Sequence, residues 1–135
     1  MRLFLAGLSC SALLMLPYAA TAEELNCDDP VTQREINACA YQRYLKADEA
    51  LNLAWEKAMT AMKEIDAAND IKEGGAADTL LAAQRLWISY RDKACEAEGW
   101  LYRGGTLEPF IVSSCLEDLS NQRTERLEFI AEIDG

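Results

Sequence analysis

From Gln33 to Ala68 neither glycine nor proline interrupts the chain. A seam of Asn37, Tyr41, Tyr44, Asp48, Leu51, Trp55, Ala58, Met62 and Ile65 runs through that stretch in alternating steps of four and three. The spacing places all of them on one side of an α-helix, in the heptad-like stripe of a helix packed lengthwise against others. Ahead of it, Thr32-Gln33-Arg34-Glu35 has the form of a capping box, in which the hydroxyl and the carboxylate each satisfy a free backbone N–H. Asn69 to Gly75 ends the helix, with the Gly74-Gly75 pair as the turn.

A second stripe, Leu80, Leu81, Trp87, Ile88, Arg91, Ala94 and Cys95, predicts a helix from about Thr79 to Glu98 with Asp78 as its N-cap. So short a connection makes the two helices antiparallel neighbours. The stretch Gln84 to Cys95 reads as the central wall of the domain, apolar on one side except for Arg91. Gly99 to Thr106 is a loop carrying Trp100, Tyr102 and Arg103 ahead of a Gly104-Gly105 pair. Thr106 is expected to cap a third helix, with Pro109 in its first turn, where a missing N–H is harmless. That helix continues to about Ile133 and turns Leu116, Leu119, Leu127 and Ile130 inward. The pattern thus predicts an all-α fold, a three-helix bundle with a long first helix, and contains no strand signal or internal repeat.

Residues 1–22 stand apart from this pattern. Arg2, the apolar run Leu3 to Leu16 and Ala20-Thr21-Ala22 have the anatomy of a secretory signal peptide cleaved after Ala22. The 113 residues that follow, 23–135, suffice for one domain. Lipoprotein anchoring at Cys10 is disfavoured, because Gly7-Leu8-Ser9 is a poor lipobox, and no membrane anchor is expected after cleavage. Arg2 is the one charged residue removed, leaving 12 basic against 23 acidic side chains and a net charge of about −11. Such a balance argues against nucleic acid and anionic membranes, which select basic surfaces. It favours solubility and cationic partners.

Cys27, Cys39, Cys95 and Cys115 remain in the exported part. Four cysteines in a small exported chain read as two structural disulfides, with three connectivities open. With no histidine and no close cysteine pair, neither a metal site nor a cofactor is expected. Antiparallel second and third helices set Cys95 opposite Cys115, and a lead-in folded along the first helix lets Cys27 reach Cys39. The pairing 27–39 with 95–115 is therefore preferred on the separation a disulfide tolerates.

Asp48 and Arg91 both interrupt apolar seams of neighbouring helices, which predicts a core ion pair, because an unpaired buried charge is costly. Arg85, Asp92 and Arg123 are placed to extend it. Removal of Arg91 from a fully buried pair costs about 3–5 kcal/mol. A catalytic role for Asp48 is disfavoured, since no histidine and no second acid shares its face. Tyr41, Tyr44, Trp55 and Trp87 fall at helical spacing and read as core. Trp100 and Tyr102 either cap the end of the bundle or, with Arg103, form a candidate interaction loop of the kind that anchors interfaces.

Across nearly all of residues 23–135 the motifs resemble the LprI-like lysozyme inhibitor family. The resemblance rests on Cys27 with Thr32-Gln33-Arg34-Glu35-Ile36-Asn37-Ala38-Cys39-Ala40, on Asp48 with Leu51-Asn52, and on Gln84-Arg85-Leu86-Trp87-Ile88-Ser89-Tyr90-Arg91-Asp92 before Cys95. Gly104-Gly105-Thr106 before Cys115-Leu116 and then Arg123-Thr124 complete it. It implies an exported helical domain, periplasmic or secreted, one branch of the family being credited with inhibiting lysozyme. No nucleophile–base pair, phosphate loop or metal cluster can be assembled from the residues, so no enzymatic activity is expected. The expectation is an inhibitor that binds a cationic lysozyme and blocks its cleft. The competing expectation is a periplasmic interaction or envelope-scaffold module with no lysozyme target.

Overall fold

The computed structural model describes residues 25–132, so the expected signal segment, Cys10 and Ile133 lie outside the described residues. Three helices, α1 (Gln33–Ala68), α2 (Ala76–Gly99) and α3 (Glu108–Glu132), form an all-α bundle, and a 3-10 turn, Trp100–Tyr102, continues α2. No helix among the described residues is long and apolar enough to cross a membrane.

The capping box forms as the sequence predicts. Thr32 Oγ1 accepts the Glu35 N–H at 3.2 Å, and Glu35 Oε2 accepts the Thr32 and Val31 N–H groups at 2.7 and 2.9 Å. These bonds hold the Glu35 carboxyl below its ordinary pKa, the backbone bond to Thr32 first among them.

The start of α2 departs from expectation. Asp78 does not cap it; the helix begins at Ala76, with Gly75 at the N-cap position and no side-chain cap of its own. The carboxylate of Asp66, near the end of α1, accepts the Ala76 and Ala77 N–H groups at 2.7 and 3.0 Å. One acidic side chain therefore joins the two helices and meets the positive end of the α2 dipole. Gly75 leaves room for it, since a Cβ there would collide with the Asp66 carboxylate. Gly74 supplies the positive φ of the turn, +69°.

The most extensive pairing is α1 with α3. These two run parallel, because Asn37 meets Thr106 and Arg43 meets Glu117, whereas α2 runs antiparallel to α1. Small side chains at heptad intervals permit the close approach: Ala40, Ala47 and Ala54 on α1, and Ser113 and Ser120 ahead of Leu127 on α3, are all buried. Leu51, Ala54, Ala58, Leu80 and Leu127 make the central core, and Trp55, Met59, Met62, Trp87 and Ile130 pack around it.

The buried stripe of α1 is consequently rotated toward α3 relative to the predicted seam. Leu51 and Ala58 are buried as expected, but Tyr41 is half exposed. On α2, Ile88 is likewise exposed, and the buried positions are Leu80, Gln84, Arg91, Cys95 and Gly99. The third helix begins at Glu108, and Thr106 does not cap it. The Thr106 carbonyl instead accepts the Asn37 side-chain amide at 2.8 Å, tying the loop to α1.

Both disulfides form with the expected pairing, Cys27–Cys39 and Cys95–Cys115, at Cα separations of 5.5 and 5.4 Å. A core rich in alanine and serine buries little apolar area for its length, and two covalent closures offset that shortfall.

Candidate functional site

Two constellations stand out, one inside the bundle and one at its end. The first centres on Arg91, whose side chain is 9 % exposed. Its Nη1 donates to Asp48 Oδ1 at 2.8 Å and to Ser120 Oγ at 3.3 Å, joining all three helices. Nε and Nη2 both reach Asp92 Oδ1 at 3.0 Å. The guanidinium also lies 5.3 Å from the Trp87 ring centroid and 5.7 Å from that of Tyr44. Burial by itself would lower the Arg91 pKa, but the hydrogen bonds to Asp48 and Asp92 outweigh it and hold it above its ordinary value. Burial raises the Tyr44 pKa, with the neighbouring carboxylates adding to the rise.

The other residues placed with this network divide. Asp92 joins it. Arg123 stops at its margin, donating from Nε to Gln84 Oε1 at 2.9 Å while its buried Nη2 has no partner. Burial, with a smaller push from Arg126, lowers the Arg123 pKa. Arg85 lies on the exposed side of α2, away from the network. The cluster reads as a pin through the bundle: its one deeply buried charge is matched, and its aromatic rings pack on guanidinium faces.

The second constellation is the connection from α2 to α3. Trp100, Leu101 and Tyr102 are 59, 80 and 42 % exposed, so the aromatics do not close the bundle end. Arg103 lies 4.6 Å from the Trp100 ring centroid and donates from Nη1 to Glu108 Oε1 at 2.9 Å. The other Glu108 oxygen accepts the Gly104 N–H at 2.8 Å, at a glycine whose φ is +77°. Gly99 is buried where an added Cβ would come within 2.6 Å of Val112 Cγ2, so α2 leaves the core at a point only glycine fits. The Asn37–Thr106 bond and the Cys95–Cys115 bridge, both ends of which are buried, complete the anchorage.

The sequence pointed to Trp100, Tyr102 and Arg103 but passed over Leu101, the most exposed side chain of the turn. It also left Arg103 free, whereas Glu108 clamps it. A glutamate three residues beyond the Gly-Gly pair is the one local hint of that clamp. Among the described residues, no group of three or more histidine, cysteine, aspartate or glutamate side chains is placed to hold a metal ion. Chemically, this end of the molecule offers a rigid apolar contact edged by carboxylates.

Comparison with known proteins gives the arrangement a context. An uncharacterized protein of Rhizobium meliloti (strain 1021) is 38 % identical over 135 residues, covering 98 % of this chain and 97 % of the relative. The crystal structure of a DUF1311 family protein from Pseudomonas putida KT2440 matches with a TM-score of 0.64 at 23 % identity. That match covers 78 % of this chain and 98 % of the other, and it bears on fold alone. Residues 27–127, from the first cysteine of the bridged lead-in to the buried Leu127, match the lysozyme inhibitor LprI family, and the chain belongs to that family.

Proposed function

We propose that this protein is an exported, non-enzymatic inhibitor that binds a cationic lysozyme and covers its substrate cleft. The observation that carries the reading is an exposed apolar turn held rigidly on an acidic domain, in a chain of the lysozyme inhibitor LprI family. Glycoside hydrolases of this kind work through two carboxylates flanking the scissile bond, and a protruding element suffices to obstruct such a cleft. Trp100–Arg103 is that element. A net charge of about −11 after removal of residues 1–22 draws a cationic enzyme in and raises the association rate. The signal-like residues 1–22 and the two disulfides fit a periplasmic or secreted location with an oxidising environment.

A second reading, an envelope-scaffold module, draws support from Leu86 and Tyr90. They are 74 and 62 % exposed, one helical turn apart on α2 and outside the turn. A muramidase assay separates the readings. The oxidised chain from Glu23 onward is titrated against C-, G- and I-type lysozymes at low and moderate salt. Stoichiometric inhibition of one type that weakens with salt supports the inhibitor. Full activity of all three at saturating protein sinks it and leaves the scaffold reading.

A further inference from the structure

We infer that Leu101 is the apolar anchor of the docking surface, and that its occupant is a partner surface with an apolar notch rimmed by lysine or arginine. Leu101 is 80 % exposed between Trp100 and Tyr102. Its support is tied down on three sides: Glu108 holds Arg103 and Gly104, Asn37 holds Thr106, and the Cys95–Cys115 bridge closes the segment at its base. Burying a side chain on so fixed a turn forfeits little conformational entropy. Arg103 is thereby a strut beneath the Trp100 ring, and the contact belongs to the apolar apex.

The rim supplies the charge of the partner. Asp92, Glu96 and Glu108 line a cleft beside Arg103, with Val112 and Leu116 as its apolar wall. Glu98 stands on the last turn of α2, which carries no basic residue. Carboxylates at a helix C-terminus oppose the helix dipole, so helix stability alone disfavours Glu98 there, whereas Glu96 is offset by its bond to Lys93. A cationic rim on the partner relieves that opposition. Asp92, Glu96 and Glu108 are already bonded to Arg91, Lys93 and Arg103, and Arg91 is shared with Asp48, so the surplus negative charge that faces a partner centres on Glu98.

The partner's identity rests on the inhibitor reading above, so binding and muramidase activity are measured in parallel on the oxidised chain from Glu23. Three proteins are compared against each lysozyme type: the wild type, Leu101→Ala and Glu98→Lys. Leu101→Ala keeps the wild-type circular dichroism and melting point and binds about thirtyfold more weakly, as expected when a leucine side chain buried on binding is truncated. Glu98→Lys associates severalfold more slowly at low salt while melting slightly higher, because it places a cation at the helix C-terminus. Unchanged binding by Leu101→Ala, with a wild type that inhibits, overturns the anchor and leaves the inhibitor reading in place. Binding without inhibition, lost in Leu101→Ala, supports the anchor and overturns cleft blockade. A wild type that neither binds nor inhibits any lysozyme overturns both.

Discussion

Replacing Arg91 by alanine tests whether the pin through the bundle acts as a buried interaction. Its side chain is 9 % exposed, but its partners Asp48 and Asp92 are 34 and 55 % exposed. Water can therefore solvate both carboxylates once the guanidinium is gone, and the loss falls toward the low end of the 3–5 kcal/mol typical of a broken buried pair. The charge-assisted bond to Asp48 contributes about 1.5 kcal/mol after allowance for that exposure. Asp92 adds at most a few tenths. Lost contact with the Tyr44 and Trp87 rings and the unfilled space of the stem add about 1.5 kcal/mol together. The expected destabilisation is about 3 kcal/mol, or a fall in melting temperature of about 12 °C for a domain of this size.

Urea denaturation of the oxidised chain, followed by helical circular dichroism, measures it. Arg91→Met restores the stem without the charge and should recover about half of the loss. Arg91→Lys keeps the charge without the planar fork and should recover less, because one ammonium cannot serve Asp48, Asp92 and Ser120 together. A loss below 1 kcal/mol for Arg91→Ala would refute the reasoning, since an exposed pair costs that little.

Other perturbations probe the ends of the helices and the bridges. Asp66→Ala removes the carboxylate that caps α2, and should cost about 1–2 kcal/mol in the same urea titration; a neutral result would mean that water caps the helix equally well. Glu35 has a carboxyl pKa held below its usual 4.5, so its contribution is complete above that value and is lost as pH falls through the lower folded-state pKa. Stability measured between pH 2 and 5 should therefore fall less steeply in Glu35→Gln than in the wild type; equal slopes would remove Glu35 from the acid limb. Stepwise reduction with alkylation and mass spectrometry should open Cys27–Cys39 first, because Cys27 is exposed whereas both Cys95 and Cys115 are buried. Loss of either bridge should lower stability by about 3 kcal/mol, and the reverse order of opening would contradict the burial argument.

The features legible in the sequence are those that neighbouring residues decide among themselves. The capping box needs only Thr32 and Glu35, and the end of α2 needs only Gly99. The disulfide pairing and the Asp48–Arg91 contact follow once the helices are taken as antiparallel neighbours. What stayed hidden depends on partners distant in the chain. Asp66 lies ten residues before the amide it caps, where no capping motif looks for it. The rotation of α1 is set by Ala40, Ala47 and Ala54, whose small side chains give a weak hydrophobic signal yet permit the closest helix approach. Tyr41 has the spacing and the ring of a core residue, but α3 occupies the other flank. At the loop, Trp100 and Tyr102 stand out in the sequence as aromatics, whereas nothing in the sequence distinguishes Leu101, which the turn sets outermost.

The parallel pairing of α1 with α3 has a consequence for the proposed contact. It gathers the N-termini of both helices and the C-terminus of α2 at one end of the molecule, where Asn37, Glu108 and Gly99 all act on a single short connection. Both disulfides serve that same end, bridging Cys27 to the second turn of α1 and Cys95 to the second turn of α3. The opposite end, where α1 turns into α2, is held by the Asp66 carboxylate and a glycine turn without any covalent link. A domain needing covalent help only for stability could place its bridges at either end, because the gain depends chiefly on the loop each one closes. Concentrating both near Trp100–Arg103 ties down a segment whose three consecutive apolar side chains are exposed, and a stiff contact loses less entropy on binding.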